Sequence, residues 1–284
     1  MKNIWIIARM TFREAIRRRI VLTGLVLGLV FLTVFSIGFR MVYINASAEA
    51  AEAPSEAITN FITSEGINVL TLAGLYAVTF LSVAMGALLG ADTLSGEIIS
   101  GTIQTIVTKP VRRSDVVLGK WLGFAILLAC YSLLMSGGTV LSVWIQSGHA
   151  PRNILQGVSL IYFESLLIMT ISISCSSFLS GLATGGVVFG LYGLSFIGGW
   201  VEQIGTVLQS NTAIQVGIVT SLIIPSESLW RRAAFEMQSP LSAAIGMSPF
   251  GTGSVPSPLM IGYAVFYLVM ALMAAVSIFK YRDL

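Results

Sequence analysis

The run from Ile20 to Phe39 carries no acidic or basic side chain, and about 20 such residues are what a helix needs to cross a hydrocarbon core about 30 Å thick. Comparable runs recur near 67–91, 121–145 and 259–279. Between Ile154 and Val201 the only acidic or basic residue is Glu164, and that stretch is roughly twice the length of one crossing. It reads as two spans, near 154–175 and 186–201, joined by a turn in the small, polar stretch Ser176 to Gly185. The expectation is an all-α integral membrane fold with six spans in one polytopic domain covering 1–284. Because 55% of the residues are hydrophobic and 10% charged, with a mean hydropathy of +0.87, a water-soluble fold, with roughly 25% charged residues, is excluded.

The 16 basic residues sit at the ends of the apolar runs rather than in a stripe, so they set membrane orientation and give no sign of a nucleic-acid partner. Twelve of them (Lys2, Arg9, Arg13, Arg17, Arg18, Arg19, Lys109, Arg112, Arg113, Lys120, Lys280 and Arg282) fall on one side of a six-span plan, and four (Arg40, Arg152, Arg231 and Arg232) on the other. By the positive-inside rule the first side is cytoplasmic and holds both termini. The first run is full length and follows a charged stretch, so it reads as a retained span rather than a cleavable signal. Cys130 and Cys175 both lie inside apolar runs and read as small packing residues.

Outside the spans the chain has three polar segments of interest. At 2–18, Ile4, Trp5, Ala8, Phe12, Ala15 and Ile16 share one helical face and Lys2, Arg9, Arg13 and Arg17 another, the pattern of an interfacial amphipathic helix. Between spans two and three, Glu97 to Val107 is predicted to form a short helix over 97–108 that Pro110 ends, with Ser114 and Asp115 placed to start the next one. The segment 202–258 is a long connector on the external side. Within it, Thr212 to Ile224 is apolar but too short to cross and reads as a re-entrant or surface helix.

Motifs for chemistry are scarce. The sequence has no GxxxxGK[ST] phosphate loop, no HExxH pair and no His and Cys cluster for a metal, and its single histidine, His149, sits in a loop. An intramembrane enzyme is therefore disfavoured, and a chain of this kind does not hydrolyse ATP unaided.

The connector holds the most informative pattern: Glu97, then Gly101 and Thr102, then an apolar stretch ending at Pro110, Arg113 and the string Leu118, Gly119, Lys120. With the basic elbow, six spans and a long segment before the last span, it resembles the permeases of type-2 ABC exporters over essentially the whole chain. That resemblance implies a membrane subunit that pairs with a second permease copy and with two copies of a separate ATPase chain, which binds ATP and magnesium. It also implies that the helix after span two couples to the ATPase. Ile99, Ile103, Ile106 and Val107 would seat that helix, and Glu97, Gln104 and Lys109 would fix its register, alongside Gly101, Thr102, Pro110 and Arg113.

Two further groups stand out. Glu164 is a carboxylate within a span, where charge is costly enough that such residues face protein or water, and it is a candidate for a translocation path. Trp230, Arg231 and Arg232 combine an aromatic anchor with two arginines, as a helix at the external interface does, and are candidates for an external gate. A secondary transporter and a non-transporting scaffold remain alternatives on sequence alone.

Overall fold

A computed structural model describes residues 2–51, 56–96, 112–239 and 255–281. The described residues form helices α1 (Lys2–Arg17), α2 (Arg19–Ala51), α3 (Glu56–Ala91), α4 (Arg113–Ser147), α5 (Ile154–Ser176), α6 (Gly181–Val207), α7 (Asn211–Ile223), α8 (Ser226–Met237) and α9 (Pro258–Tyr281). Six of them, all but α1, α7 and α8, are long and apolar enough to cross a membrane. The fold is thus all-helical, with six candidate spans. Local signals end several of these helices. Gly148 closes α4 in the left-handed region (φ 68°) with its N–H donating to Trp144 O, a cap that glycine takes without steric cost. Pro225 disfavours a helical conformation at the residue before it, Ile224 is extended (φ −142°, ψ 115°), and α7 and α8 meet there at 106°.

The core is the trio α3, α4 and α5, more than half buried along their apolar windows, whereas α2 and α9 are mostly surface. Among the described helices, contact between α3 and α5 is the most extensive. Its cause is glycine: a Cβ on Gly86 would stand 2.8 Å from Ser165 O, and one on Gly90 would stand 2.5 Å from Ser172 Cβ and 2.9 Å from Met169 O. The backbones approach closely enough for Ser172 Oγ to donate to Ala87 O at 2.7 Å, the small-residue packing that holds helices together in lipid. Trp121 Nε1 ties α4 to Thr170 Oγ1 of α5 at 2.9 Å. The pair Gly24 and Gly28 meets the flexible sulfurs of Met85 and Met135, while Gly185, Gly186 and Gly190 face open surface.

Several boundaries differ from the sequence reading. The turn before the fifth span occupies only Ser177 to Ser180, and α6 runs from Gly181 to Val207, because a span must satisfy its backbone groups internally and glycine does not prevent that. Glu202, placed by sequence in the connector, therefore lies within α6. On α1, Ala8, Thr11 and Ala15 are buried, and Trp5 and Ile16 are exposed. The inward face is set by α4, where Gly119 and Gly123 leave room only for the Ile4 to Thr11 segment; the remaining apolar side chains are left for lipid.

Candidate functional site

Among the described residues, two places bring buried charged side chains together with polar partners from other helices. At the end carrying α1, the segment 97–111 leaves from α3 and returns into α4. Thr93 Oγ1 donates to Leu89 O, and the Thr93 carbonyl accepts from Lys120 Nζ at 3.2 Å. Lys120 is 5% exposed, a buried ammonium at a helix C-terminus, where unpaired carbonyls and the helix dipole favour positive charge. Across the same opening Arg113 Nη1 donates to Lys280 O of α9 at 3.2 Å. These contacts tie the start of α4 to the end of α3 and to the last span, on either side of the segment 97–111. Glu97, Ile99, Gly101, Thr102, Ile103, Gln104, Ile106, Val107, Lys109 and Pro110 lie outside the described residues; Arg113 and Lys120 frame them.

At the opposite end α7 folds back along α6. A Cβ on Gly198 would meet Thr220, one on Gly217 would meet Glu202, and one on Gly205 would meet Ala213. Ser195 Oγ donates to Ile224 O at 3.0 Å, twelve residues before the end of α6, so the turn reaches about 18 Å along that helix. From there α8 returns beside α5 until Met237 meets Gly157. Both legs open at the same end: α7 and α8 form a re-entrant hairpin rather than a crossing.

The hairpin carries charge into the interior. Arg231 and Glu202 are 2% and 4% exposed and pair through Nη2 to Oε2 at 2.9 Å and Nη1 to Oε1 at 2.8 Å. Glu227, 2% exposed, packs on Gly199 and accepts a long 3.5 Å hydrogen bond from Tyr76 Oη. Tyr76 in turn accepts from Trp200 Nε1 at 3.3 Å, and its ring lies 4.8 Å from that of Trp230. Beside this cluster a groove of about 580 Å³ is lined by Val30, Phe31, Tyr76, Phe80, Tyr192 and Phe196.

The structure places Glu164 in the middle of α5, fully buried, with neither carboxyl oxygen hydrogen-bonded. Its sequence neighbour Tyr162 turns instead toward α4 and donates to Ala125 O at 3.1 Å. Trp230 and Arg231 are buried rather than interfacial, because Glu202 supplies an internal counter-charge. Arg232 stays partly exposed, paired with Glu236 at 2.6 Å. Sequence reasoning missed Tyr76, Glu202 and Glu227. The available signal was the i, i+4 spacing of Glu227 and Arg231 beside a solitary Glu202 at the end of an apolar run.

A six-span helical bundle with a basic elbow and a re-entrant hairpin before its last span defines a polytopic membrane protein built like a transporter subunit. Residues 5–284 match the family described as ABC-2 family transporter protein, and the chain belongs to that family. Two curated relatives are titled "Probable ABC transporter permease protein NosY". The one from Stutzerimonas stutzeri is 29% identical over 143 residues, 50% of this chain and 46% of the relative. The one from Pseudomonas aeruginosa is 26% identical over 157 residues, 55% of this chain and 51% of the relative. The matched region spans about half the length of these relatives.

Proposed function

We propose that this chain is the permease subunit of an ATP-driven ABC transporter that exports a substrate across the cytoplasmic membrane by alternating access. In this reading two permease copies pair with two copies of a separate ATPase chain, and that chain binds the ATP and magnesium. The α1 end faces the cytoplasm. The segment 97–108 is the coupling helix, with Glu97, Ile99, Gly101, Thr102, Ile103, Gln104, Ile106, Val107, Lys109, Pro110 and Arg113 as the residues that meet or transmit the ATPase movement.

The observation that carries this reading is the frame around that segment, in a chain of this family. Lys120 binds the Thr93 carbonyl and Arg113 binds Lys280 O, so a displacement of the start of α4 is shared by spans two, three and six. Rigid-body displacement of packed helices is the economical response. Glu164 lies beside a translocation path that runs by the aromatic groove, and Trp230, Arg231 and Arg232 belong to an external gate formed by the hairpin. The groove's apolar lining suits an amphipathic substrate.

The test is purification of the tagged chain from its native membrane in mild detergent. An ATP-hydrolysing chain is expected to accompany it and to be lost when Gly101 and Thr102 are both replaced by glutamate. Correctly inserted protein that brings no ATPase from any of several detergents would overturn the reading.

A further inference from the structure

Helices α2 and α4 leave a second groove between them, of about 620 Å³, on the opposite side of α2 from the aromatic one. Both helices are long and apolar enough to cross a membrane, so the groove faces lipid along its length. Its lining changes character from one end to the other. Leu29, Leu32, Gly138 and Leu141 form an apolar part, and Ser36, Ser142, Gln146 and Arg40 form the end away from α1. At that end Gln146 Nε2 donates to Ser36 O at 3.3 Å, to Ser36 Oγ at 3.1 Å and to Ser142 Oγ at 3.1 Å. These bonds tie α2 to α4 and spend the amide on the helix contact itself.

Arg40 is left over. It is exposed and makes no hydrogen bond or ion pair among the described residues, whereas Arg231 and Arg232 each have a glutamate. A guanidinium at the interfacial end of an apolar groove is complementary to a phosphate carried on a hydrocarbon chain.

The dimensions select the same occupant. Leu29 to Arg40 is about 16.5 Å of helix, close to one leaflet, which is half of a hydrocarbon core about 30 Å thick. A volume of about 620 Å³ over that length is a cross-section of about 38 Å², roughly half that of an α-helix 10 Å across. The groove therefore admits an extended chain and excludes a helix of a second copy. We propose that it is a binding site for one phospholipid of the leaflet away from α1, with an acyl chain between α2 and α4 and the anionic phosphate on Arg40.

The experiment is a titration of the delipidated full-length chain in detergent with dioleoylphosphatidylglycerol, with bound lipid counted by native mass spectrometry. One lipid is expected to bind more tightly than the rest. Arg40→Gln removes a charge-assisted bond and is expected to weaken that lipid about tenfold, while Arg40→Lys keeps most of the binding. Leu141→Trp fills the apolar part from a residue that is 53% exposed, and is expected to displace the same lipid without lowering the thermal stability of the delipidated chain. Dioleoylglycerol, with the chains and no phosphate, and glycerol 3-phosphate, with the phosphate and no chains, are each expected not to compete. Arg152→Gln, an exposed arginine in the loop after α4, is the control and is expected to bind as the native chain does.

Native affinity in Arg40→Gln or Leu141→Trp, an equal loss in Arg152→Gln, or competition by either fragment would overturn the proposal. So would variants that lose their pairing with a second copy while the lipid count stays the same, because the groove would then belong to a subunit interface. Neither ATPase nor transported substrate enters the measurement, so its failure leaves the permease reading untouched.

Discussion

Arg231 of the hairpin and Glu202 of α6 face each other through two contacts of 2.9 and 2.8 Å in an interior where their side chains are 2% and 5% exposed. Ser221, from the other leg of the hairpin, lies 3.5 Å from the same guanidinium, so one ion pair gathers three helices.

Breaking that pair from one side strands a buried charge, which costs about 3–5 kcal/mol, whereas replacing both partners by apolar groups of similar volume is often neutral. Arg231→Met and Glu202→Leu are each expected to destabilise the chain by about that amount, and the double variant to recover most of it. Equilibrium unfolding in mixed micelles reads the cycle.

Close backbone approach at Gly86 and Gly90 makes a second expectation. Leucine at either position would drive α3 from Ser165 O or Met169 O of α5, and forcing extra atoms into packed interiors costs about 1–3 kcal/mol or more. Gly86→Leu and Gly90→Leu are expected to lower the yield and thermal stability of monodisperse protein. Gly185→Leu, on open surface, is expected to leave the single chain's thermal stability unchanged.

The two contacts that flank the segment 97–111 can be loosened separately. Arg113→Ala releases the α9 carbonyl and Lys120→Met releases Thr93 O. Both variants are expected to retain the ATPase chain on purification while substrate-stimulated ATP turnover falls several-fold. Unchanged stimulation would show that the frame transmits nothing.

Orientation is read by labelling. Arg112 and Arg152 are both exposed, at opposite ends of the bundle. In a chain with Cys130 and Cys175 replaced by alanine, Arg152→Cys is expected to react with a membrane-impermeant maleimide in intact cells, and Arg112→Cys only after permeabilisation.

The spans were legible because a bilayer imposes one requirement on every residue of a crossing, so Ile20 to Phe39 or Leu259 to Phe279 declares itself locally. The break between α7 and α8 was half legible: the apolar run ending at Ile224 was too short to cross, and Pro225 marked its end. The hairpin cluster was not legible. Tyr76 and Glu227 are 151 positions apart in sequence, and nothing near either names the other; Arg231 reads as an interfacial anchor until Glu202 is seen opposite it. Glu164 could be picked out by its solitude, but its complete burial with no hydrogen bond to either carboxyl oxygen required the fold.

The re-entrant hairpin also constrains how the molecule is made. Helix α8 carries Glu227, Arg231, Arg232 and Glu236 among its twelve residues, too much charge to cross a bilayer on its own, and its partners Tyr76, Gly157 and Glu202 all precede it in the chain. By the time α8 leaves the ribosome its binding site can already be in place, and the hairpin can close onto the five spans made before it. A truncation after Val207 would then still insert its first five spans, with Glu202 waiting for an arginine that never arrives.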